Sequence, residues 1–235
     1  AEVPIEDRQI QPASLDLRVG RKAYRLISSF LPELSEITSR LNVLDFYQSD
    51  LVMYEIDLTE GAILEKGHVY LVPLLERVAL PKTIRARTNP KSTTGRLDVF
   101  TRVVTDLNTG FDEIRAGYSG PLYLEISPRT FPVRIRKGSR LSQMRFRVGD
   151  TRLTVDEHVA LHAAETLVLD ANEAVGEGVA LSIDLKGEDR RGLIGFRSKR
   201  HTNVIDMDIK DTLDVLDYWE PLINRGSDEF ILDPD

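Results

Sequence analysis

Three groups of side chains in this sequence have the types and spacing to do chemistry. The turn NPKSTTGRLDV (89–99) gathers Lys91, Ser92, Thr93, Thr94, Gly95 and Arg96 between two strand-like runs. Hydroxyls, backbone N–H groups and two cations in one short turn suit a phosphate, which offers only acceptors and negative charge. The same residue types also cap ordinary turns, with Arg96 paired to an acid such as Asp98. The second group centres on Glu125 in PLYLEI (121–126). Strand alternation sends Leu122, Leu124 and Ile126 to one face and Tyr123 and Glu125 to the other. A carboxylate there is either a solvent-facing strand residue or, in a cleft, a general base. The third is His158 and His162, at i and i+4 of a predicted helix, with Glu165 further on. That spacing can hold a metal, but Val159 stands where a hydrolytic His-Glu-x-x-His helix carries its base. A surface or linker helix explains the pair better.

Composition removes several classes of chemistry. The 235 residues contain no cysteine, so disulfides, thiol nucleophiles and thiolate-held zinc are excluded. Phosphate loops of the Gly-x-x-x-x-Gly-Lys-Ser/Thr kind, Gly-x-Gly-x-x-Gly and Gly-x-Ser-x-Gly are also absent. Zinc-dependent base deamination needs a His-x-Glu and a Cys pair, and neither occurs. Any hydrolysis is therefore expected to run without a resident metal or with magnesium carried by the substrate. A net charge of −7 opposes a nucleic-acid polymer as partner. The run RTFPVRIRKGSRLSQMRFR (129–147) is rich in Arg, with no acid, and reads most simply as a solvated strand face. No stretch of eighteen apolar residues is present, so no membrane partner is expected and the expected compartment is the cytoplasm.

The elements that must position these groups read mainly as β. Strand-like runs are YEIDL (54–58), HVYLVPL (68–74), DVFTRVV (98–104), PLYLEI (121–126), PVRIR (132–136) and SQMRFRV (142–148). Turn signals such as Lys66-Gly67, Ser119-Gly120 and Lys137-Gly138 separate them. That spacing predicts a sandwich or barrel. Helices are expected at 32–41 and, with Thr154 and Glu157 spaced as a capping box, at 154–167.

Short words also recur. SLDLR (14–18) returns as SIDLK (182–186), and Ile63 of AILEKG returns as Ile231 of FILDPD, both 168 residues on. A duplicated module is expected. It comprises a first domain over 1–168 that includes the 154–167 helix, a linker over 169–178, and the start of a second, incomplete repeat over 179–235.

Three segments together resemble the deoxycytidine triphosphate deaminase and dUTPase superfamily. IQPASLDLRVG (10–20) looks like its opening strand, and KSTTGRLDV (91–99) is similar to its Arg-Ser-Ser-x-x-Arg-Leu-Gly phosphate loop. AGYSGPLYLEI (116–126) with KGSRLSQMRF (137–146) looks like its Gly-aromatic-x-Gly…Leu-Glu strand and the strand that follows. The order and rough spacing agree across 10–148. The resemblance implies an all-β fold, a β-clip or distorted jelly roll with a few short helices, which here would be tandemly repeated. It also implies self-association, as a trimer or a repeat-based pseudo-trimer, with sites between subunits.

The resemblance further implies roles. Glu125 falls on the deaminase's catalytic glutamate and Ser92 on a loop serine near the substrate. Lys91, Thr93 and Arg96 fall on phosphate-side positions, and Thr105, Asp106, Tyr118 and Gln143 on other substrate contacts. Lys91 stands where an arginine is usual and lacks its bidentate fork. The implied function is hydrolytic deamination of dCTP to dUTP and ammonia. No cofactor is expected for the chemistry, and Mg2+ is expected to arrive with the triphosphate. A dUTP diphosphatase and a nucleotide-binding module without turnover stay open. Against the first, Arg115 occupies the Asp position of the family's Ile-Asp pair.

Overall fold

The structure, a computed structural model, describes residues 3–31, 50–106, 110–150, 152–169, 175–187, 191–224, 226 and 229–231. Two compact units are present, Ala1–Gly149 with His201–Leu213, and Asp150–Arg200 with Asp214–Asp235. In the first unit one five-stranded sheet has the order β1 (Ile10–Gln11), β2 (Ser14–Arg18), β12 (Arg140–Val148), β7 (Ile84–Pro90), β9 (Glu113–Ile114). The second has the order β4 (Val52–Asp57), β3 (Lys22–Leu26), β6 (Val69–Ala79), β10 (Ser119–Pro128), β8 (Val99–Val104). A third, small sheet joins β14 (Ile205–Asp206), β11 (Val133–Ile135) and β5 (Ala62–Leu64). Neighbouring strands in the two large sheets are antiparallel; β11 and β14 run parallel. This is the all-β architecture with few helices that the strand pattern predicts.

Every predicted strand of the first unit forms, within a few residues of its expected ends. The pattern missed β3 and β7. In β7, Arg85, Arg87 and Asn89 alternate with Ala86 and Thr88, so few apolar side chains mark the strand. The helix expected at 32–41 lies outside the described residues.

β10 is the centre of the fold for function. It is paired on both sides, by β6 and by β8, and it is buried on both faces. Leu122, Leu124 and Ile126 face one side with no exposed surface. Tyr123 faces the other and packs with Leu26, Leu71 and Val104, flanked by Tyr24, Phe30, Val69 and Phe111. Burying one such side chain stabilises the fold by ~1.5–3 kcal/mol, so both faces hold the strand in register. Where β2 turns into β3, Gly20 donates its N–H to the Pro73 carbonyl at 2.8 Å. An added Cβ would meet that oxygen at 2.5 Å, so the close approach requires glycine.

The second unit contains the predicted helix, here Val155–Ala164, with Thr154 accepting from the Glu157 N–H and the reciprocal capping-box bond present. It belongs with the later residues rather than with the first domain, which differs from the expected division at 168. The same unit pairs β13 (Leu193–Ser198) with β15 (Trp219–Ile223). The segment SIDLK, expected to repeat the strand SLDLR, forms no strand. Asp184 Oδ1 accepts from the Lys186 and Gly187 N–H groups at 2.9 and 2.8 Å and turns the chain. The physical reason is the partner: β2 is held by β12, and no described segment after 178 plays that part for 182–186. The FILDPD match lies mostly outside the described residues. Among the described residues no helix is long and apolar enough to cross a membrane.

Candidate active site

The loop between β7 and β8 folds as one short helical turn, α1 (Ser92–Arg96). Ser92, Thr93 and Arg96 are exposed on it, while Thr94 is buried. The bland alternative for Arg96 is not realised. Asp98 Oδ2 accepts from the Thr130 hydroxyl at 2.8 Å, and Arg96 makes no ion pair among the described residues. Lys91, in contrast, is already engaged, its ammonium paired with the carboxylate of Asp16. Asp16 is 1% exposed and Arg140 approaches the same oxygen to 3.9 Å. Gln143 lies opposite Asp16 across the β2–β12 ladder and accepts from Ser14 at 3.0 Å. The arginine-rich run is therefore only partly a solvated face. Besides Arg140, Arg136 grips Asp206 and Asp208 at 2.5 and 2.7 Å.

Glu125 is not on a solvated face. Its side chain is 2% exposed, on the buried side of β10 that carries Tyr123. Opposite it in register on β8 stands Arg102. The guanidinium donates from Nε and Nη2 to Glu125 Oε1 at 2.9 and 2.5 Å. Nη2 also donates to the Ser29 hydroxyl at 2.9 Å. The guanidinium carbon lies 3.8 Å from the ring centre of Phe111 and 5.0 Å from that of Phe100. Glu125 Oε2 is buried and has no hydrogen-bond partner among the described residues. A buried, unsatisfied carboxylate oxygen costs free energy unless something else meets it.

The remaining predicted residues gather where β8 ends and β10 begins. Tyr118 is 5% exposed; it donates to the Pro121 carbonyl at 2.7 Å and accepts from the Asp106 N–H at 3.4 Å. Burial pushes its phenol up to about 12, and burial likewise raises that of Tyr123. An added Cβ at Gly120 would meet the Tyr118 hydroxyl at 2.6 Å, which accounts for the Gly-aromatic-x-Gly spacing. Thr105 is buried and Asp106 half-buried beside them. Asp112, with φ of 62°, accepts from Thr88 and from the Val103 N–H at 2.8 Å each and ties this connection to both sheets. The histidines are structural. His158 Nδ1 meets the Gly176 carbonyl at 2.9 Å and His162 Nδ1 accepts the Leu167 N–H at 3.1 Å.

The structure thus forms two constellations within one chain. Lys91, Ser92, Thr93, Arg96 and Gln143 collect around α1 and β12. Glu125, Thr105, Asp106 and Tyr118 collect along β8 and β10. Arg102, with Glu125 opposite it on β10, stands mid-strand on β8, three residues, or about 10 Å, from Val99 at the α1 end and three from Thr105 at the other. Sequence reasoning missed Asp16 and Arg102. A signal existed for both, since each is a charge flanked by apolar residues in a strand, LDL and VFTRVV.

Comparison with known proteins identifies the family. The profile of the 2'-deoxycytidine 5'-triphosphate deaminase (DCD) N-terminal domain matches residues 1–150. A separate profile, the DCD C-terminal domain, matches 154–235 and so begins at the helix cap. A crystal structure of the 2'-deoxycytidine 5'-triphosphate deaminase from Agrobacterium tumefaciens superposes with a TM-score of 0.88 at 55% identity, covering 100% of this chain and 68% of that one. A protein of Sulfurihydrogenibium named dCTP deaminase, dUMP-forming, is 33% identical over 144 residues, 61% of this chain and 72% of that one. The dCTP deaminase of Haloarcula marismortui is 32% identical over 143 residues, 60% of this chain and 67% of its own. The chain belongs to the dCTP deaminase family.

Proposed function

We propose that this chain deaminates dCTP hydrolytically, giving dUTP and ammonia, with Glu125 as the general base. The observation that carries it is the state of that carboxylate: buried, one oxygen held by Arg102, the other without a partner among the described residues. Water adds to C4 of the cytosine as Glu125 takes its proton. The same carboxylate returns a proton to the departing nitrogen, the C4–N4 bond breaks, and ammonia leaves. Arg96, Ser92 and Thr93, exposed on α1, meet the phosphates of dCTP, which arrives as its magnesium complex. Tyr118, Asp106 and Thr105 bound the base side. We place α1 of one copy against Glu125 of another, in a trimer, the self-association that the family resemblance implies.

The test is Glu125→Gln. Glutamine keeps the shape and the bond to Arg102 but takes no proton from water. The folded variant should bind Mg2+·dCTP as wild type does and release ammonia about 10²–10⁴-fold more slowly. Turnover within threefold of wild type would sink the mechanism. A silent binding module would show affinity without turnover in the wild type as well. A second product reading has one observation behind it, the name dUMP-forming carried by several relatives. Pyrophosphate released in step with ammonia selects it; ammonia alone selects dUTP.

A further inference from the structure

We propose that Arg102 is a positioning residue that divides the work of the Glu125 carboxylate, anchoring Oε1 so that Oε2 alone is the proton-accepting atom. The inference rests on Glu125 being the base. Both Arg102 bonds to Glu125 end on Oε1, at 2.9 and 2.5 Å, and none ends on Oε2. A guanidinium facing a carboxylate for stability alone commonly engages both oxygens, one N–H to each. Here the fork is turned. Nη2 is shared between Glu125 and Ser29, and the guanidinium carbon lies over the rings of Phe111 and Phe100, 3.8 and 5.0 Å from their centres. Those outside partners fix the orientation of Arg102, and Arg102 in turn fixes the rotation of the carboxylate. The oxygen left over is buried on the face that carries Tyr24, Leu71 and Tyr123, with no donor aimed at it among the described residues.

The consequence for catalysis is geometric. A carboxylate free to rotate exchanges its two oxygens and spends part of its time misdirected; an anchored one presents a single lone pair to water. Lysine at 102 can donate to Oε1 but lacks the second N–H and the flat face for the two rings. Methionine fills similar space and anchors nothing.

The experiment compares Arg102→Lys and Arg102→Met with Glu125→Gln, reading ammonia release from Mg2+·dCTP, nucleotide binding and thermal melting. The expected result is that Arg102→Met keeps KM within about threefold while kcat falls about 10²-fold, the scale of a misplaced reacting group. Arg102→Lys should recover about a tenth of the wild-type kcat. Added guanidinium ion should raise the rate of Arg102→Met and leave wild type unchanged, a response that a purely structural arginine does not give. If Arg102→Met is unfolded by its melting curve, Arg102→Lys decides: a folded lysine variant with wild-type kcat overturns the proposal. So does an Arg102→Met variant within threefold of wild type while Glu125→Gln is dead. If Glu125→Gln itself turns over normally, the general-base reading has failed rather than the anchoring alone.

Discussion

Two cations of the α1 loop that look alike in the sequence separate once their partners are known. Arg96 is exposed and without an ion pair among the described residues, so its charge is available to a ligand. Arg96→Ala should weaken Mg2+·dCTP binding roughly ten- to hundredfold, since one charge-assisted hydrogen bond is worth ~1.5–3 kcal/mol, and should leave the melting curve unmoved. Isothermal titration beside a thermal melt checks both halves. Lys91 should behave in the opposite way. It neutralises Asp16, which is 1% exposed and has a second oxygen, Oδ1, already without a partner among the described residues. Removing the ammonium leaves the buried carboxylate only the more distant Arg140 guanidinium at 3.9 Å, at a cost of up to ~3–5 kcal/mol. Lys91→Met should therefore lower the melting temperature clearly, and adding Asp16→Asn should restore much of it. A Lys91→Met protein that melts like wild type but fails to bind nucleotide would reverse that assignment.

At the scale of elements, the connection from β8 to β10 is where packing and charge meet. Asp112 holds it by accepting from Thr88 on β7 and from the Val103 N–H on β8, and burial raises its carboxyl above the usual aspartate range. A carboxyl raised on folding favours the folded state below its unfolded value, near 3.8, and loses that contribution as pH climbs through the raised value. Asp112→Asn keeps an oxygen that accepts both hydrogen bonds and has no proton to lose. Its stability relative to wild type should therefore improve as pH rises from about 4 towards 7. Urea melts across that range test the sign, and a constant difference would show that Asp112 does not titrate in the window. Gly120 stands where that connection enters β10. A methyl there meets the Tyr118 hydroxyl, which the Pro121 carbonyl already holds at 2.7 Å, so Gly120→Ala should displace Tyr118 and lower stability by ~1–3 kcal/mol.

At the scale of the whole molecule, the proposed assembly decides which copy's α1 serves which Glu125. If α1 of one copy serves Glu125 of another, Glu125→Gln and Arg96→Ala damage different halves of each site. Copies of both variants, refolded together and assayed at low dCTP, should regain activity, with about one quarter of the sites fully native in a random mixture. Light scattering should give three chains per particle. No gain on mixing would place each site within a single chain. The first unit itself draws on distant sequence. Residues 201–213 return to it, and β14 joins β11 with Arg136 clamped by Asp206 and Asp208.

The sequence by itself determined the β character, the strands that alternate strongly, the capped helix at 154 and the identity of the α1 loop and of Glu125 as the groups to watch. Each of those is a local property: side-chain period, turn chemistry, or a short motif whose order along the chain survives folding. Tertiary structure decided what surrounds them. Alternation places Glu125 on the face opposite Leu124, but only the second layer of side chains makes that face a buried one. The register between β8 and β10 puts Arg102 against Glu125, and the β2–β12 ladder puts Gln143 beside Asp16, which Lys91 then neutralises. Tertiary pairing also withheld a strand from SIDLK, whose letters repeat SLDLR. A strand exists only where another strand takes up its hydrogen bonds, and that partner is a matter of the folded chain, not of five residues.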